Sequence, residues 1–349
     1  MPEFQTADCS HIIGLDTLLT AGQTSIASVG IVSIGRNEGD RLRQCLNSVV
    51  GLVEKVVYVD SGSTDGSVSM ARALGVAVVE LDMTIPFTAA RARNEGYRRL
   101  RETAPELAYV QFVDGDCEIV PGWLQKAAQF LDEHADVAVV CGRRRERFPE
   151  RSVYNMLCDI EWDTPVGEAK ACGGDALMRT EAFQKVGKYR ASLIAGEEPE
   201  LCVRLRAAGW KIWRLDEEMT LHDAAITRFG QWWKRTLRSG YAYAEGAYLH
   251  GAGPERHRVK EVRRVWIWGA VIPMVIVILT ICLGTRGLIV LLIYPAQVIR
   301  LALHGTRSAR KNGWRAFFLV LGKFPEAIGQ LSFFYNRLTG KTARLIEYK

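Results

Sequence analysis

Two aspartates separated by a single glycine, Asp114 and Asp116, end an apolar run of the chain. Two carboxylates at this spacing can approach one hard cation, and Mg²⁺ or Mn²⁺ prefers such oxygen ligands while it keeps sites for water and phosphate. Gly115 lets the backbone come close to a ligand. Because Asp-Gly-Asp is also ordinary turn chemistry, the rest of the chain must decide between a metal site and a turn.

Two further acidic clusters could take part in chemistry. Asp60 ends a second apolar run, where an ionised carboxylate can accept hydrogen bonds from the donor edge of a base or from ribose hydroxyls. Glu197, Glu198 and Glu200 crowd the start of a helical pattern. The helix dipole favours acids there, so a structural role is open for at least two of them. The alternative is that one is a general base, which removes a proton from an attacking hydroxyl.

Short β-branched runs alternate with helical patterns in the first third of the chain. The runs that predict strands are 29–34, 55–60, 76–81 and 108–114. This alternation predicts βαβ units and therefore an α/β fold with a mostly parallel sheet flanked by helices. Ligands of such sheets bind outside the carboxyl ends of the strands. Asp60 and Asp114 both fall at such ends, so we expect them to face one crevice.

The composition is that of a folded protein, with 48% hydrophobic and 24% charged residues among 349. The eight cysteines contain no Cys-x-x-Cys pair, which indicates reduced thiols in a cytosolic environment. The net charge is +6, and basic residues are densest at 256–264 and 304–315. Such patches suit nucleic acid or anionic lipid equally well. The apolar sequence between them favours lipid, so no nucleic-acid partner is expected.

The last third of the chain has the composition of a membrane-associated region. Residues 266–283 contain no charge, and this length is near the lower limit for crossing a bilayer. A second apolar run at 288–303 follows a four-residue link, which predicts a transmembrane hairpin; a buried helical pair of a soluble domain is the alternative. The basic flanks place both ends, and the preceding domain, on the cytoplasmic side of the inner or cell membrane. Residues 315–338 are interpreted as an interfacial helix.

Taken together, the motifs resemble those of a family 2 glycosyltransferase with the GT-A fold. The matching segments of the nucleotide-sugar half are "VSIGRNEGDRLRQCLNSV", "VVYVDSGSTDGS", "ARARNEG" and "FVDGDCEIVPGWL". Those of the acceptor half are "CGGDALMRTEAF", "AGEEPELCVRLRAAGW" and "TLHD". The resemblance implies a metal-dependent hexosyltransferase that uses a UDP- or GDP-sugar with Mg²⁺ or Mn²⁺. The expected units are a lead-in at 1–25, a catalytic domain at 26–255 and a membrane-associated region at 256–349.

The resemblance also implies roles on the donor side of the site. Asp60 would read the nucleobase, and Asp116 would be the direct metal ligand, while Asp114 would contribute to the metal site and lie nearer the ribose. His222 matches a histidine that contacts the metal or the diphosphate in many such enzymes; a purely structural histidine is the alternative. The remaining residues expected beside the nucleotide are Ser33, Gly35, Arg36, Glu38 and Arg93.

On the acceptor side, the resemblance implies a base of inverting transfer at Glu198. The family usually has a Glu-Asp pair here, whereas this chain has Glu197-Glu198, so either glutamate could be the base. Transfer from an α-linked donor would then give a β-glycoside. Gly174 and Asp175 fall in the same half of the resemblance and are expected near the acceptor.

The segment 229–246, "FGQWWKRTLRSGYAYAEG", bears on what is glycosylated. Processive synthases of the family carry Gln-x-x-Arg-Trp here, whereas this chain has Gln-x-x-Lys-Arg and one hairpin. We therefore expect transfer of a single sugar to a membrane-embedded acceptor, such as a polyprenyl-linked glycan or a glycolipid, with room for other biosynthesis subunits as partners. A processive synthase subunit and a non-catalytic scaffold remain the alternatives. The residues expected near the acceptor and the headgroups are Gln231, Trp232, Trp233 and Arg235.

Overall fold

A single nine-stranded sheet forms the centre of the protein, in a computed structural model that describes residues 26–341. The predicted lead-in at 1–25 lies outside the described residues. The strands run in the order β3-β2-β1-β4-β8-β6-β9-β5, and β7 pairs with β9. Their bounds are β1 Val29–Gly35, β2 Lys55–Asp60, β3 Ala77–Glu80, β4 Tyr109–Asp114, β5 Cys117–Ile119, β6 Val137–Glu146, β7 Gly167–Glu168, β8 Ala176–Arg179 and β9 Lys211–His222.

Helices flank this sheet and continue beyond it into the last third of the chain. Those of the first part are α1 Asp40–Asn47, α2 Ser67–Ala73, α3 Ala89–Thr103, α4 Trp123–Glu133, α5 Val153–Glu161, α6 Thr180–Lys185, α7 Glu197–Ala207 and α8 Phe229–His250. Those that follow are α9 Val259–Trp266, α10 Ile272–Leu283, α11 Ile293–Leu303, α12 Ala309–Leu321 and α13 Lys323–Thr339. A π-helical turn, Ile267–Val271, joins α9 to α10, and a 3₁₀ stretch, Gly284–Leu292, joins α10 to α11.

The prediction of a mostly parallel sheet is confirmed. Strands β1 to β4 pair in parallel, and β6 and β9 run in the same direction as they do. Strands β5, β7 and β8 run the other way. In the register of the parallel half, Asp60 lies opposite Gly35, and Asp114 lies opposite Ile34. The two aspartates therefore flank the carboxyl end of β1, as the alternation of strands and helices predicts.

Helix α3 packs on the sheet at very short range, and this contact positions one of the site residues. A Cβ atom on Gly96 would lie 2.4 Å from a methyl carbon of Val32, so only glycine permits the approach. The side chain of Thr88 caps the helix by accepting a hydrogen bond from the Arg91 amide. Arg93 lies three residues before Gly96, on the same face of the helix, and is therefore held against the sheet.

The predicted apolar hairpin is present in the last third of the chain. The backbone reverses near Gly284, which has a φ of +63°. The two legs then contact each other, because the Tyr294 hydroxyl donates to the Trp268 carbonyl over 2.9 Å. By length and composition alone, two helical stretches could cross a membrane, Val259–Leu303 and Ala309–Thr339. Only 11% of the most apolar part of the first is buried in the protein, against 50% of the second.

Helix α13 packs against α8 through two glycines. A Cβ atom on Gly240 would lie 2.1 Å from the Glu326 carbonyl oxygen, and one on Gly329 would lie 2.0 Å from the Leu237 carbonyl oxygen. In both cases the added Cβ atom would meet a backbone oxygen, so no side-chain movement could relieve the contact. The last described helix is therefore fixed on the helix that follows the sheet.

We expect Gly240→Ala to lower the free energy of unfolding by about 2 kcal/mol, because the added methyl group must push α13 away from α8. Gly230→Ala is the matched control, since Gly230 lies in the same helix and a Cβ atom there would meet nothing within 4 Å. It should be neutral or slightly stabilising. Thermal unfolding of the two variants measures the difference, and equal midpoints would contradict the packing role of Gly240.

Candidate active site

One cavity of about 550 Å³ lies at the carboxyl ends of the parallel strands. It brings together most of the residues that the sequence predicts for the site, although they come from separate elements. The predicted residues that line it are Gly35, Arg36, Glu38, Arg93, Asp114, Asp116, Gly174, Glu197, Glu198, His222 and Arg235. The residues Ser33, Asp60, Asp175, Gln231, Trp232 and Trp233 do not line it.

Asp116 and His222 form a buried pair at one side of the cavity. The antiparallel pairing of β5 with β9 sets Cys117 opposite His222, so the histidine lies beside the preceding aspartate. The Asp116 Oδ2 atom is 3.1 Å from His222 Nε2, and the two residues are 7% and 6% exposed. These atoms and the Cys117 sulfur lie within 4.8 Å of one another. A carboxylate oxygen and an imidazole nitrogen so close to the cavity suit a small divalent cation.

The Arg93 guanidinium connects Asp114 to the glutamates at the start of α7. It donates to Asp114 Oδ1 over 2.8 Å and to Glu197 Oε1 over 2.8 Å, and it lies 3.2 Å from Glu198 Oε1. Arg93 is 3% exposed, so these ion pairs form away from bulk water. A buried, multiply paired arginine holds its partners in fixed positions, because breaking one pair leaves a charge without compensation.

Asp114 is held from both sides. Arg144 lies 3.3 Å from its Oδ2 atom and 2.9 Å from the carboxylate of Asp175. The Asp114 amide donates to Asp175 over 3.0 Å. Burial alone would raise the pKa of Asp114, but Arg93 and Arg144 lower it below its usual value. The carboxylate is therefore ionised at neutral pH.

The three glutamates of the third acidic cluster occupy the first turn of α7, and two of them, Glu197 and Glu198, line the cavity. Glu197 is 4% exposed at its side chain and Glu198 is 15% exposed. Burial raises the pKa of Glu198 to about 7, and the carboxylate of Glu197 adds to the rise, while Arg93 opposes it. A carboxyl group with a pKa near 7 can accept a proton and release it again at neutral pH.

The sequence matches a known protein family and named relatives. Residues 30–187 match the family model described as glycosyl transferase family 2. This stretch is a family 2 glycosyltransferase domain. The chain is 23% identical over 230 residues to glycosyltransferase AglE of Haloferax volcanii, which covers 62% of this chain and 73% of AglE. It is 29% identical over 182 residues to the succinoglycan biosynthesis protein ExoA of Rhizobium meliloti, covering 49% of this chain and 54% of ExoA.

The fold agrees with a solved structure over most of the chain. The mannosyltransferase PcManGT from Pyrobaculum calidifontis, solved in complex with GDP-Man and Mn²⁺, superposes with a TM-score of 0.56. The match covers 92% of this chain and 96% of PcManGT, at 15% sequence identity. At that identity the likeness shows the fold alone, and the GT-A architecture is thereby confirmed.

The domain holds the carboxylate of Asp60 away from the cavity. Asp60 is 2% exposed and accepts hydrogen bonds from the Tyr58 hydroxyl at 2.8 Å, the Gly62 amide at 2.9 Å and the Ser63 amide at 2.8 Å. These bonds shape the loop after β2. Ser33 is fully buried, and its hydroxyl lies 3.6 Å from the Cys45 sulfur. A role for Asp60 in reading the base stays a prediction, which would require one of its hydrogen bonds to be shared.

Two residues expected near the acceptor do not line this cavity, Asp175 and Gln231. Asp175 is completely buried, and its carboxylate accepts from Thr220, Arg144 and the Asp114 amide, so it supports the site from behind. Gln231 does not reach the cavity either, because its amide oxygen accepts from the Thr227 and Arg228 amides and caps α8.

Of the two tryptophans of α8, Trp232 is buried and Trp233 is half-buried. Trp232 is 7% exposed, and its ring contacts the ring of Phe318 in α12 at 4.8 Å. Trp233 packs on the same cluster. Among the four residues predicted for this segment, Arg235 is the one that lines the cavity, and it is held by two hydrogen bonds to Glu161, at 2.9 and 3.0 Å.

Arg144 and Trp162 are among the residues of the site that the sequence analysis missed. Arg144 contacts Asp114, and Trp162 packs edge-on against the His222 ring at 4.7 Å. The signal for Arg144 was a run of three arginines inside an otherwise apolar strand, where a charge needs a buried partner. Trp162 stands in no motif, and nothing in its neighbourhood in the sequence pointed to the site.

Gly174 gives a specific prediction for the family 2 domain. A Cβ atom on Gly174 would lie 2.5 Å from Arg93 Nη2, 2.9 Å from Asp114 Oδ2 and 3.2 Å from Glu198 Oε1. We expect Gly174→Ala to lower glycosyl transfer about a hundredfold, because it displaces the group that joins the acidic clusters. Gly173→Ala is the control, since a Cβ atom there meets nothing within 4 Å. Equal rates of nucleoside diphosphate release from both variants would contradict this role.

Proposed function

We propose that the protein is an inverting, metal-dependent hexosyltransferase that moves a sugar from a UDP- or GDP-sugar to a membrane-embedded acceptor. The acceptor would be a polyprenyl-linked glycan or a glycolipid, on the cytoplasmic face of the inner or cell membrane. One observation carries the proposal. A single cavity holds an aspartate–histidine pair suited to a cation and, connected to it through Arg93 and Asp114, a glutamate whose pKa is near 7.

The donor side of the proposal rests on charge. Four carboxylates lie within ion-pair distance of the two guanidinium groups of Arg93 and Arg144, and they are those of Asp114, Asp175, Glu197 and Glu198. A divalent cation held by Asp116 and His222 would reduce that excess, and when bound it would neutralise the departing nucleoside diphosphate. Asp114 already pairs with two arginines, which suits it for orienting the donor. The complex of PcManGT with GDP-Man and Mn²⁺ supports this choice of donor and ion.

The acceptor side of the proposal assigns the base to Glu198. Its side chain is more exposed to the cavity than that of Glu197, and its pKa of about 7 suits removal of a proton from a sugar hydroxyl. Glu197 would keep Arg93 in place through the 2.8 Å ion pair. Attack by the activated hydroxyl on the face opposite the leaving diphosphate would invert the anomeric centre.

The membrane part of the proposal rests on the exposed apolar surface of the hairpin. Ile281, Ile289 and Leu303 are all at least 70% exposed, which an aqueous protein surface would not stabilise. A bilayer would cover these side chains and hold the cavity near the lipid headgroups.

A donor screen with the full chain tests the proposal. UDP- and GDP-sugars are supplied with Mg²⁺ or Mn²⁺ and a bacterial lipid extract, and release of nucleoside diphosphate is measured. We expect release from one donor that depends on the extract and on the metal. The anomeric configuration of the product is then read by NMR. Retention of the donor's configuration would contradict inversion, and release that is equal without the extract would contradict a lipid acceptor.

A further inference from the structure

A second cavity of about 630 Å³ adjoins the active site. It lies between α8, the end of α5 and the segment from His304 to Gly322. Arg235 lines both cavities, so the second begins where the first ends. A volume of this size is typical of a site for one organic ligand.

One wall of the second cavity is apolar. Trp232 and Phe318 form its centre, with ring centroids 4.8 Å apart, and both are nearly buried. Leu157, Ile160 and Leu319 extend this wall. Carbon-rich surface of this kind favours a hydrocarbon chain over water.

The lining of the second cavity also carries cations. Arg235 pairs with Glu161, and Arg307 pairs with Asp163 over 2.9 Å, so these acids are already compensated. Glu326, the remaining acid of the lining, pairs with Lys323 over 2.6 Å. Arg315 is exposed and makes no ion pair with any residue of 26–341. The cavity therefore offers a guanidinium that an anion can engage.

The second cavity lies next to the end of the apolar hairpin. His304 to Arg307 line it, and they directly follow Leu303, the exposed last residue of the returning leg of the hairpin. The cavity thus lies between the apolar hairpin and the catalytic cavity. An apolar wall beside an exposed guanidinium that has no ion-pair partner in the described part of the chain fits a lipid with an anionic end on a single hydrocarbon chain.

We propose that this second cavity binds the diphosphate end of a single-chain lipid acceptor. The phosphates would contact Arg315 and Arg307, and the first units of the chain would lie on Trp232 and Phe318. The glycan beyond the diphosphate would then pass Arg235 into the catalytic cavity. This inference rests on the proposed function, because it specifies how the lipid-linked acceptor is held.

Binding of farnesyl diphosphate to the full chain in detergent tests the inference. The titration is made by calorimetry with EDTA, so that the metal-dependent donor site does not contribute. We expect saturable binding, with farnesol and inorganic diphosphate each bound at least about tenfold more weakly, because each lacks one half of the ligand. Arg315→Gln should weaken binding of farnesyl diphosphate about tenfold, through loss of a charge-assisted contact.

Arg310→Gln is the matched control. Arg310 is an exposed arginine of the same helix that does not line the cavity, and its removal should change affinity less than twofold. Equal weakening by both variants would overturn the inference in favour of general attraction between charges. Unchanged affinity in Arg315→Gln, with an unchanged unfolding midpoint, would overturn it as well.

The outcome can be separated from that of the proposed function. If farnesyl diphosphate does not bind while lipid-dependent release of nucleoside diphosphate persists, the second cavity is not the acceptor site, and the proposed function stands. If it binds as expected while no donor is used, the lipid site stands and the proposed transferase activity fails.

Discussion

Asp116→Asn is expected to lower glycosyl transfer about a thousandfold and to abolish tight binding of Mn²⁺. Asp116 supplies the carboxylate oxygen nearest to His222, at 3.1 Å, and asparagine replaces it with a neutral amide of the same shape. A neutral oxygen is a poorer ligand for a hard cation. Mn²⁺ affinity, followed by electron paramagnetic resonance, and nucleoside diphosphate release measure the two effects separately.

Asp136→Asn is the control for this substitution. Asp136 is an exposed aspartate that pairs with Lys211 over 2.7 Å and does not line the cavity. The Asp136→Asn variant should therefore match the wild type in both Mn²⁺ affinity and activity. The unfolding midpoint of Asp116→Asn must also be measured, because the residue is buried. A folded Asp116→Asn protein with the affinity of the wild type for Mn²⁺ would refute the assignment of the ligand.

Much of the site was predictable because the parallel half of the sheet follows a simple rule. Alternating strands and helices bring the carboxyl ends of β2 and β4 to one edge, so Asp60 and Asp114 were expected near each other, and they flank the end of β1. The same rule could not show which way each side chain is held. Tyr58 and the loop amides hold the carboxylate of Asp60, which is buried and does not line the cavity.

The other half of the site depends on antiparallel pairings, which periodicity does not determine. The register of β5 against β9 decides that His222 lies beside Asp116. The long strand β6 brings Arg144 to Asp114, although no motif surrounds it. Only the resemblance to a known family anticipated His222, and nothing anticipated the contact of Arg144.

The segment around Gln231 shows what a local pattern leaves open. A glutamine near the start of a helix can contact a ligand, but it can equally accept hydrogen bonds from the unpaired amides of the first turn. Gln231 does the second. Trp232 packs against Phe318 of α12, and the two rings line the second cavity. Burial by an element that lies far along the chain cannot be read from the local pattern.

Glu198→Gln is expected to lower glycosyl transfer by about a thousandfold or more, since a general base contributes up to about four orders of magnitude. Glutamine keeps the length of the side chain and removes its ability to accept a proton. Hydrolysis of the donor by water and binding of the donor depend less on this carboxylate, so the affinity for the nucleotide-sugar should change little. Single-turnover transfer and donor affinity measure the two quantities.

The pH profile distinguishes a base from a residue that only shapes the site. Glu198 must be ionised to accept a proton, and its pKa is about 7, so transfer should rise with pH through that value and then level off. The charged groups that set this value are Glu197, Arg93 and Asp114. In Glu198→Gln the rise near pH 7 should be absent from the remaining activity. A variant that keeps the rise would exclude Glu198 as the base.

The stability of Glu198→Gln shows whether the variant is folded. The direction in which its stability differs from the wild type follows from the raised pKa of Glu198. The pKa of Glu198 is higher in the folded chain than the ordinary value of 4.5 for a glutamate, so the folded state binds more protons between pH 4.5 and about 7. Ionisation of Glu198 therefore lowers the stability as the pH rises through this window. Glu198→Gln removes that loss, and we expect its unfolding midpoint at pH 8 to equal or exceed that of the wild type.

Glu197→Gln decides between the two glutamates. Glu197 is nearly buried and pairs with Arg93 over 2.8 Å, so its loss should weaken the position of Arg93 and reduce transfer, while the rise with pH through Glu198 persists at a shifted midpoint. The midpoint should move down, because the negative charge of Glu197 contributes to the raised pKa of Glu198. If the pH-dependent rise instead disappears in Glu197→Gln and survives in Glu198→Gln, the base is Glu197, and the extra methylene of Glu198 has moved its carboxylate out of reach of the acceptor hydroxyl.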